Sequence, residues 1–332
     1  MRNLTRVFAS ALLVAAAALP TRAADVPNVL PAETEQVMYV NIKQMLESDI
    51  MKKFALGQVK QALGGENAQK VLEEIGLDPL KDLNKATVGL WGTDANNMNA
   101  VAVITGKFDA DKLLKAAEKY AKDSGDKIAI IEEGKYKLMK ITGSSDQGKP
   151  FYASVANETT MVGGSDKKLV VTALAAVADK AKPVLNKSLA TLVLKQDEKA
   201  SMWFCGLTEG KLGEVNVPEI PGVDGAALKK SLGKMSTMGL TVRLGADVNL
   251  NITMGMKDAD AADEFSVTLG KLIDLAKTFL PILGQQQPQA EALIKDFTNT
   301  LKAESKDKDV TVKLKLTAEA IGKAVGGAGG DN

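Results

Sequence analysis

The sequence contains no histidine, and this absence excludes several kinds of active site. A Ser–His–Asp or Cys–His nucleophile cannot be assembled without an imidazole, and the same holds for histidine-ligated zinc, copper or non-haem iron centres. The single cysteine, Cys205, has no second cysteine with which to form an intramolecular disulfide. Because it lies in the apolar run Met202-Trp203-Phe204-Cys205, we expect a small buried hydrophobic residue rather than a redox-active thiol.

Arginine is almost as scarce as histidine. Beyond residue 23 the only arginine is Arg243. Residues 1–23 contain three arginines and no acidic residue, so that 39 basic residues face 41 acidic ones in the rest of the chain, a net charge of −2. Since arginine provides most bidentate contacts to phosphates and bases, this composition indicates that nucleic acid is not a partner.

Apolar runs of membrane-spanning length are absent after residue 23, and the first 23 residues have the pattern of an export signal. Arg2 and Arg6 precede an apolar run at 7–19, and Thr21-Arg22-Ala23 provides a suitable cleavage site. A bilayer-spanning helix needs about 20 apolar residues, more than this run contains. The pattern predicts cleavage near Ala23, export to the periplasm or the extracellular space, and a mature chain without a transmembrane segment.

One six-residue pattern occurs twice. GKFDAD at 106–111 reappears as GMKDAD at 255–260, and each copy follows a strand-like run and begins a helix-like run. Asp109 and Asp258 lie where a helix N-cap is expected, and the aspartate two positions later places a negative charge at the positive end of the helix dipole. The pattern therefore predicts a strand–turn–helix joint in each half of the chain.

The order of strand-like and helix-like segments also repeats, which predicts an α+β fold of two similar halves. Each half is expected to be a mainly antiparallel sheet with helices packed on one face. The predicted boundaries are a signal peptide at 1–23, a first α+β repeat at 24–199, a second α+β repeat at 200–325, and a disordered tail at 326–332.

When the two joints are aligned, the strands that precede them can be compared one face at a time. Val101 and Val103 coincide with Leu250 and Ile252, so one face is apolar in both halves. On the opposite face, Ala100 and Ala102 coincide with Asn249 and Asn251. We therefore expect this second face to be apolar in the first half and polar in the second.

Four more local predictions concern helix ends and the core. The helix after the second joint is predicted to end near Pro281, and an extra helix is predicted at 290–302. Ser165 is a candidate N-cap for a helix at 167–181. Trp91 and Trp203 are predicted to be buried core residues.

Three patterns could indicate chemistry, and each has a simpler structural interpretation. Residues 165–168 match the S-x-x-K pattern of serine penicillin-binding enzymes, but the partner motifs S-D-N and K-T-G are absent. The acids at 258, 260, 263 and 264 lack the spacing of an EF-hand calcium loop. The glycines at 163–164 and 326–330 lack nucleotide-binding spacing. We therefore predict no catalytic, cofactor-binding or metal-binding residues, and no cofactor.

The chain resembles uncharacterised secreted proteins of planctomycete-type bacteria in four features: the export signal, the strand at 37–42, the turn at 76–83 and the joint at 106. The resemblance implies an exported tandem α+β protein and brings no catalytic residues.

The first hypothesis for function is a non-enzymatic exported binding or structural protein. The alternatives are a carrier of a lipid or other apolar ligand between sheet and helices, and an Asp/Glu/Lys-based hydrolase. The candidate partners are therefore an apolar small molecule or another protein.

Overall fold

The computed structural model describes residues 29–92, 97–123, 127–142, 149–179, 184–215 and 222–326. Over these ranges the chain is an α+β protein with antiparallel strands and twelve α-helices. The predicted signal peptide and residues 327–332 of the predicted tail lie outside the described residues.

The strands are β1 (Gln36–Val40), β2 (Leu83–Trp91), β3 (Asn99–Gly106), β4 (Ile128–Glu133), β5 (Tyr136–Ile141), β6 (Phe151–Asn157), β7 (Thr160–Gly164), β8 (Met202–Leu207), β9 (Met235–Leu244), β10 (Val248–Met256), β11 (Lys302–Lys306) and β12 (Asp309–Leu316). The helices are α1 (Ile42–Glu47), α2 (Asp49–Phe54), α3 (Leu56–Leu63), α4 (Glu66–Ile75), α5 (Pro79–Asp82), α6 (Ala110–Asp123), α7 (Lys167–Ala178), α8 (Lys187–Leu194), α9 (Gly225–Leu232), α10 (Ala259–Gln286), α11 (Glu291–Thr300) and α12 (Ala318–Gly326).

The chain forms two compact units, which we call the N-terminal and C-terminal units. The N-terminal unit comprises residues 23–46 and 58–198, and the C-terminal unit comprises residues 47–57 and everything from 199 onward. In the N-terminal unit the strand order is β1-β2-β3-β7-β6-β5-β4, with antiparallel neighbours throughout. In the C-terminal unit the order is β8-β9-β10-β12-β11, also antiparallel.

The two six-residue joints lie at the ends of β3 and β10. Each strand is the second of an antiparallel pair, β2–β3 or β9–β10, and each joint leads into a helix. The Asp109 carboxylate accepts a hydrogen bond from the Lys112 N–H at 3.0 Å, and the Asp258 carboxylate accepts one from the Ala261 N–H at 2.8 Å. Both aspartates therefore cap the first turn of their helices, as the sequence pattern predicts.

The core of the C-terminal unit lies between the sheet and α10. Phe265 and Ile273 of α10 pack with Met254 and Met256 of β10 and with Val310 of β12, all of them buried. Burying an apolar side chain of this size contributes about 1.5–3 kcal/mol, compared with about 1 kcal/mol for a helix cap. Apolar packing therefore holds α10 on the sheet, and Asp258 determines where the helix begins.

The prediction that this helix ends near Pro281 is wrong, because α10 continues through Pro281 to Gln286. Proline removes one intrahelical hydrogen bond, but packing beyond it holds the last turn in place. At Gly284 the backbone of α10 lies so close to Ile294 of α11 that an added Cβ would be 3.2 Å from the isoleucine Cδ1. Tertiary packing against α11 therefore outweighs the local preference for a break.

The extra helix and the strand after it also differ from the prediction. The helix α11 ends at Thr300 rather than at 302, and Lys302–Lys306 forms the edge strand β11. The sequence KAESK has no alternation of apolar residues, so its strand character was not visible in the sequence. Pairing with β12 gives this segment its extended conformation.

Ser165 is not the N-cap of α7, because Asp166 takes that position. The Asp166 carboxylate accepts from the Lys168 N–H at 2.7 Å, and α7 ends at Ala178. The Ser165 hydroxyl instead accepts from the Ala100 N–H at 3.0 Å, which connects the end of β7 to β3. The shorter side chain extends the sheet, and the carboxylate next to it caps the helix.

Candidate functional site: an open apolar sheet face

The sheet of the N-terminal unit has one covered face and one open face. At Gly164 of β7 an added Cβ would be 3.1 Å from Val170 of α7, which places Gly164 on the side of that helix. The residues that share this face in register are completely or almost completely buried: Val37, Tyr39, Val101, Val103, Leu138 and Val162. This face therefore forms the core of the unit, and its neighbours along each strand lie on the other side.

The opposite face carries a row of apolar residues that crosses all seven strands. The register pairs each member with the next, and the row consists of Met38, Val88, Ala102, Gly163, Ala153, Met139 and Ile130. A second row on the same face contains Val40, Ala86, Ile104, Met161 and Val155. We call the side chains of these two rows, with Phe151 and Ile141, the apolar face.

Exposure distinguishes the apolar face from the core. Val101 and Val162 on the covered side are 0% exposed, whereas Val88 and Ala102 on the apolar face are only half-buried. Two large side chains of the apolar face are exposed, Phe151 at 40% and Ile141 at 41%. The ring of Phe151 lies over Gly163, where any added Cβ would collide with it.

The corresponding face of the C-terminal sheet is polar on β9, β10 and β12, whereas on β8 it carries the buried Trp203 and Cys205. Residues that alternate with the buried Met254 and Val310 rows are threonine, asparagine, arginine and lysine: Thr241, Arg243, Asn249, Asn251, Thr253, Thr311, Lys313 and Lys315. On this side Lys313 forms an ion pair with Glu304 of β11 at 2.8 Å. The contrast between Ala100 and Ala102 in one sheet and Asn249 and Asn251 in the other therefore extends over β9, β10 and β12 but not to β8.

Shifted pKa values do not cluster in the part of the chain that the structure describes. Each carboxylate or ammonium group with a shifted pKa belongs to a separate ion pair: Glu74–Lys119, Asp78–Lys81, Glu133–Lys167, Lys234–Glu264, Asp247–Lys315, Glu304–Lys313 and Glu319–Lys323. The remaining shifted group is Cys205, whose thiol pKa is raised to about 12 by burial. A thiol with this pKa stays protonated at neutral pH, so it is not nucleophilic.

The side chains of two of the candidate motifs, residues 165–168 and the acids at 258–264, make local structural contacts. Ser165 binds the backbone of β3, and Lys167 forms an ion pair with Glu133 at 2.6 Å. Asp258 caps α10, and Asp263 accepts a hydrogen bond from the Ser305 hydroxyl at 2.9 Å. The structure thus assigns these side chains to capping and to surface contacts.

A cleft lined by acidic residues lies between α9 and α10. It has a volume of about 610 Å³ and is lined by Lys230, Asp260, Asp263 and Glu264. Over the described ranges no three histidine, cysteine, aspartate or glutamate side chains converge in a way that could hold a metal ion. Nor does any helix in those ranges combine the length and apolarity that crossing a membrane requires.

An Asp247→Asn variant tests how much one of the ion pairs stabilises the fold. The Asp247 carboxylate contacts Lys315 at 2.7 Å and accepts from the Ala318 N–H at 3.1 Å, and the Lys315 ammonium chiefly holds the pKa of Asp247 below its usual value of 3.8. A lowered pKa stabilises the fold above pH 3.8, and this contribution is lost as the pH falls through the lower folded value. We expect the variant to be about 0.2–1 kcal/mol less stable at pH 7.

Thermal unfolding of both proteins between pH 7 and pH 2 measures this effect. The difference between the two melting temperatures should shrink as the pH falls below 3.8. Asp274→Asn, at an exposed position on α10, is the control and should change the melting temperature little at either pH. A difference in melting temperature between Asp247→Asn and the unmodified chain that stays constant over the whole pH range would show that the ionised Asp247 carboxylate is not its cause.

Comparison with known proteins gives no further information about the site. No protein-family model, no curated protein and no solved structure matches this chain. The geometry of the two sheets is therefore the basis for a functional proposal.

Proposed function

We propose that this chain is an exported, non-enzymatic binding or structural protein that binds an apolar partner through the apolar face. The observation that carries the proposal is the uninterrupted apolar row from Met38 to Ile130, in which all members except Ala153 and Gly163 are partly exposed, whereas Val101 and Val162 on the opposite face are fully buried. Contiguous exposed apolar surface on a folded protein is typical of a binding surface.

The distribution of polar residues supports this location. The C-terminal order β8-β9-β10-β12-β11 matches β1-β2-β3-β7-β6, but its strands β10 and β12 carry Asn251 and Lys313 on the corresponding face. A sheet face that only contacts water is expected to alternate in this way, with polar residues outside. In the N-terminal sheet this face is apolar on all seven strands. Exposing that apolar surface to water costs free energy unless an apolar partner covers it.

The two units are further proposed to be copies of one ancestral α+β unit. Support comes from the strand orders, because β1-β2-β3-β7-β6 and β8-β9-β10-β12-β11 have the same connections. The β4–β5 hairpin is then an addition to the N-terminal copy. The proposed relationship to secreted proteins of planctomycete-type bacteria fits this arrangement and an exported protein.

An Ala102→Asp variant tests binding at the apolar face. Ala102 lies in the middle of the sheet, between Val88 and Gly163, so a carboxylate there would have to lose water when an apolar ligand binds. We expect the dissociation constant for the fluorescent probe bis-ANS to rise about tenfold or more, which corresponds to about 1.4 kcal/mol.

The control is Asn251→Asp, the matching position on the polar face of the C-terminal sheet. It introduces the same charge and should leave probe binding within about twofold of the unmodified chain. Equal affinity in Ala102→Asp and the unmodified chain would refute the proposed surface. Native mass spectrometry of the protein from its own host then identifies the class of partner, because a retained lipid-sized mass indicates an apolar small molecule and a bound polypeptide indicates a protein.

A further inference from the structure

The strand β4 is the outermost strand of the N-terminal sheet and has an unpaired edge. It pairs with β5 on one side, and no other strand in the described ranges pairs with its outer side. The hairpin closes at Glu133 and Tyr136 around a two-residue turn, and the Thr142 N–H donates to the Lys127 carbonyl at 2.8 Å. In an antiparallel ladder, the residues that bond to one neighbour alternate with those that face away. The N–H and C=O groups of Ile128, Ile130 and Glu132 therefore point outward.

The strands β4 and β11 differ in how their outer edges are protected. The edge strand β11 carries Lys302, Glu304 and Lys306, and charged side chains on an edge prevent further pairing. In β4 the residues from Ile128 to Ile131 are all apolar, without proline, lysine or a bulge. An unpaired apolar edge of this kind is suited to pairing with another strand.

We propose that β4 pairs antiparallel with β4 of a second copy of this chain, centred on Ile130. Residues directly opposite each other lie on the same face of an antiparallel sheet, so the twofold axis must pass through a residue position. With the axis at Ile130, that residue lies opposite Ile130 of the second copy, and Ile128 lies opposite Glu132. The main-chain groups of Ile128, Ile130 and Glu132 in each copy then pair with those of the other copy, which gives about six hydrogen bonds.

Charge and hydrophobicity favour this register and this partner. Lys127 lies opposite Glu133 of the second copy, and Ala129 lies opposite Ile131, so that opposite charges and apolar side chains meet in pairs. Moving the axis to Ile131 would place Lys127 opposite Lys135 and reduce the number of main-chain hydrogen bonds to about four. The apolar row that ends at Ile130 would continue through Ile130 of the second copy, which joins two apolar faces into one surface.

Cysteine cross-linking tests the pairing and its register. Residues opposite each other in a hydrogen-bonded antiparallel pair have Cα atoms about 5.5 Å apart, which a disulfide can bridge. We expect Ile130→Cys in the mature chain to form a disulfide-linked dimer under mild oxidation. In Ile128→Cys, on the same strand and face, the two introduced thiols would be about 13–14 Å apart and should not cross-link. The native Cys205 is buried and does not compete for the reaction.

Native mass spectrometry of the unmodified mature chain provides an independent measurement. A dimer mass is expected, and Ile130→Lys should reduce it to the monomer mass, because the axis places the two lysines against each other. A conservative Ile130→Val variant should remain dimeric. A monomeric unmodified chain, or equal cross-linking of Ile130→Cys and Ile128→Cys, would overturn the proposal. The β4–β4 dimer does not depend on ligand binding at the apolar face, so one proposal can be wrong while the other is right.

Discussion

A Trp203→Ala variant is expected to lose about 3–5 kcal/mol of the free energy of unfolding of the C-terminal unit. Trp203 lies on β8 opposite Thr241 and is 0% exposed. Truncation to alanine removes the contacts of the whole indole and leaves a cavity that the paired strands cannot close. Its neighbour on the same side of the strand, Cys205, is also 0% exposed, so both residues lie in a packed region.

Trp91→Ala is the matched control, because it makes the same chemical change at a half-buried position. Trp203 is fully buried, whereas Trp91, which the sequence also predicts to be a core residue, lies at the end of β2 and is only partly covered. Since less surface is removed from a packed environment, we expect a loss of about 1–2 kcal/mol. Urea unfolding followed by far-UV circular dichroism measures both losses. Equal losses in the two variants would contradict the difference in burial.

Gly106→Ala is expected to destabilise the N-terminal unit by about 1–3 kcal/mol, near the upper end of that range. An added Cβ at Gly106 would overlap the carbonyl oxygen of Asp82. That carbonyl accepts a hydrogen bond from the Lys107 N–H at 2.8 Å, and the Gly106 N–H donates to the Thr159 carbonyl at 3.0 Å. Because backbone surrounds this position on both sides, the joint cannot accept a methyl group without moving a strand.

Gly255→Ala makes the same change at the second joint, where the obstacle is a side chain. An added Cβ at Gly255 would collide with the hydroxyl of Thr237, which can rotate away. We therefore expect a loss below about 1 kcal/mol, which a Thr237→Ala substitution in the same chain should reduce further. Differential scanning calorimetry of the single variants measures both effects. A larger loss for Gly255→Ala than for Gly106→Ala would show that the backbone contact at Asp82 is not the constraint.

Local patterns predicted the two joints of this fold. The caps by Asp109 and Asp258 depend on residues within one helical turn, so the sequence contains all the information needed. Pro281 and β11 were predicted wrongly because their conformations depend on α11 and β12, which are packed or paired with them. Tertiary contacts outweigh local propensity in both places.

The apolar face was only partly predictable. Alternation in β3 and β10 indicated that Ala100 and Ala102 lie on an apolar side and that Asn249 and Asn251 lie on a polar one. Extending the row to Met139 and Ile130 requires the order β3-β7-β6-β5-β4, in which chain neighbours are not always sheet neighbours. Long-range register of this kind is not encoded in the spacing within a single strand.

The assignment of residues 47–57 to the C-terminal unit has a consequence for how the protein can be divided. Within the residues that the structure describes, the polypeptide passes between the two units three times, at 46/47, 57/58 and 198/199. A single cut after Glu198 would leave Ile50 and Met51, which are nearly inaccessible to solvent, on a fragment without the rest of their unit. A single recombination or proteolysis site therefore cannot separate the two units, because each fragment would lack part of its unit.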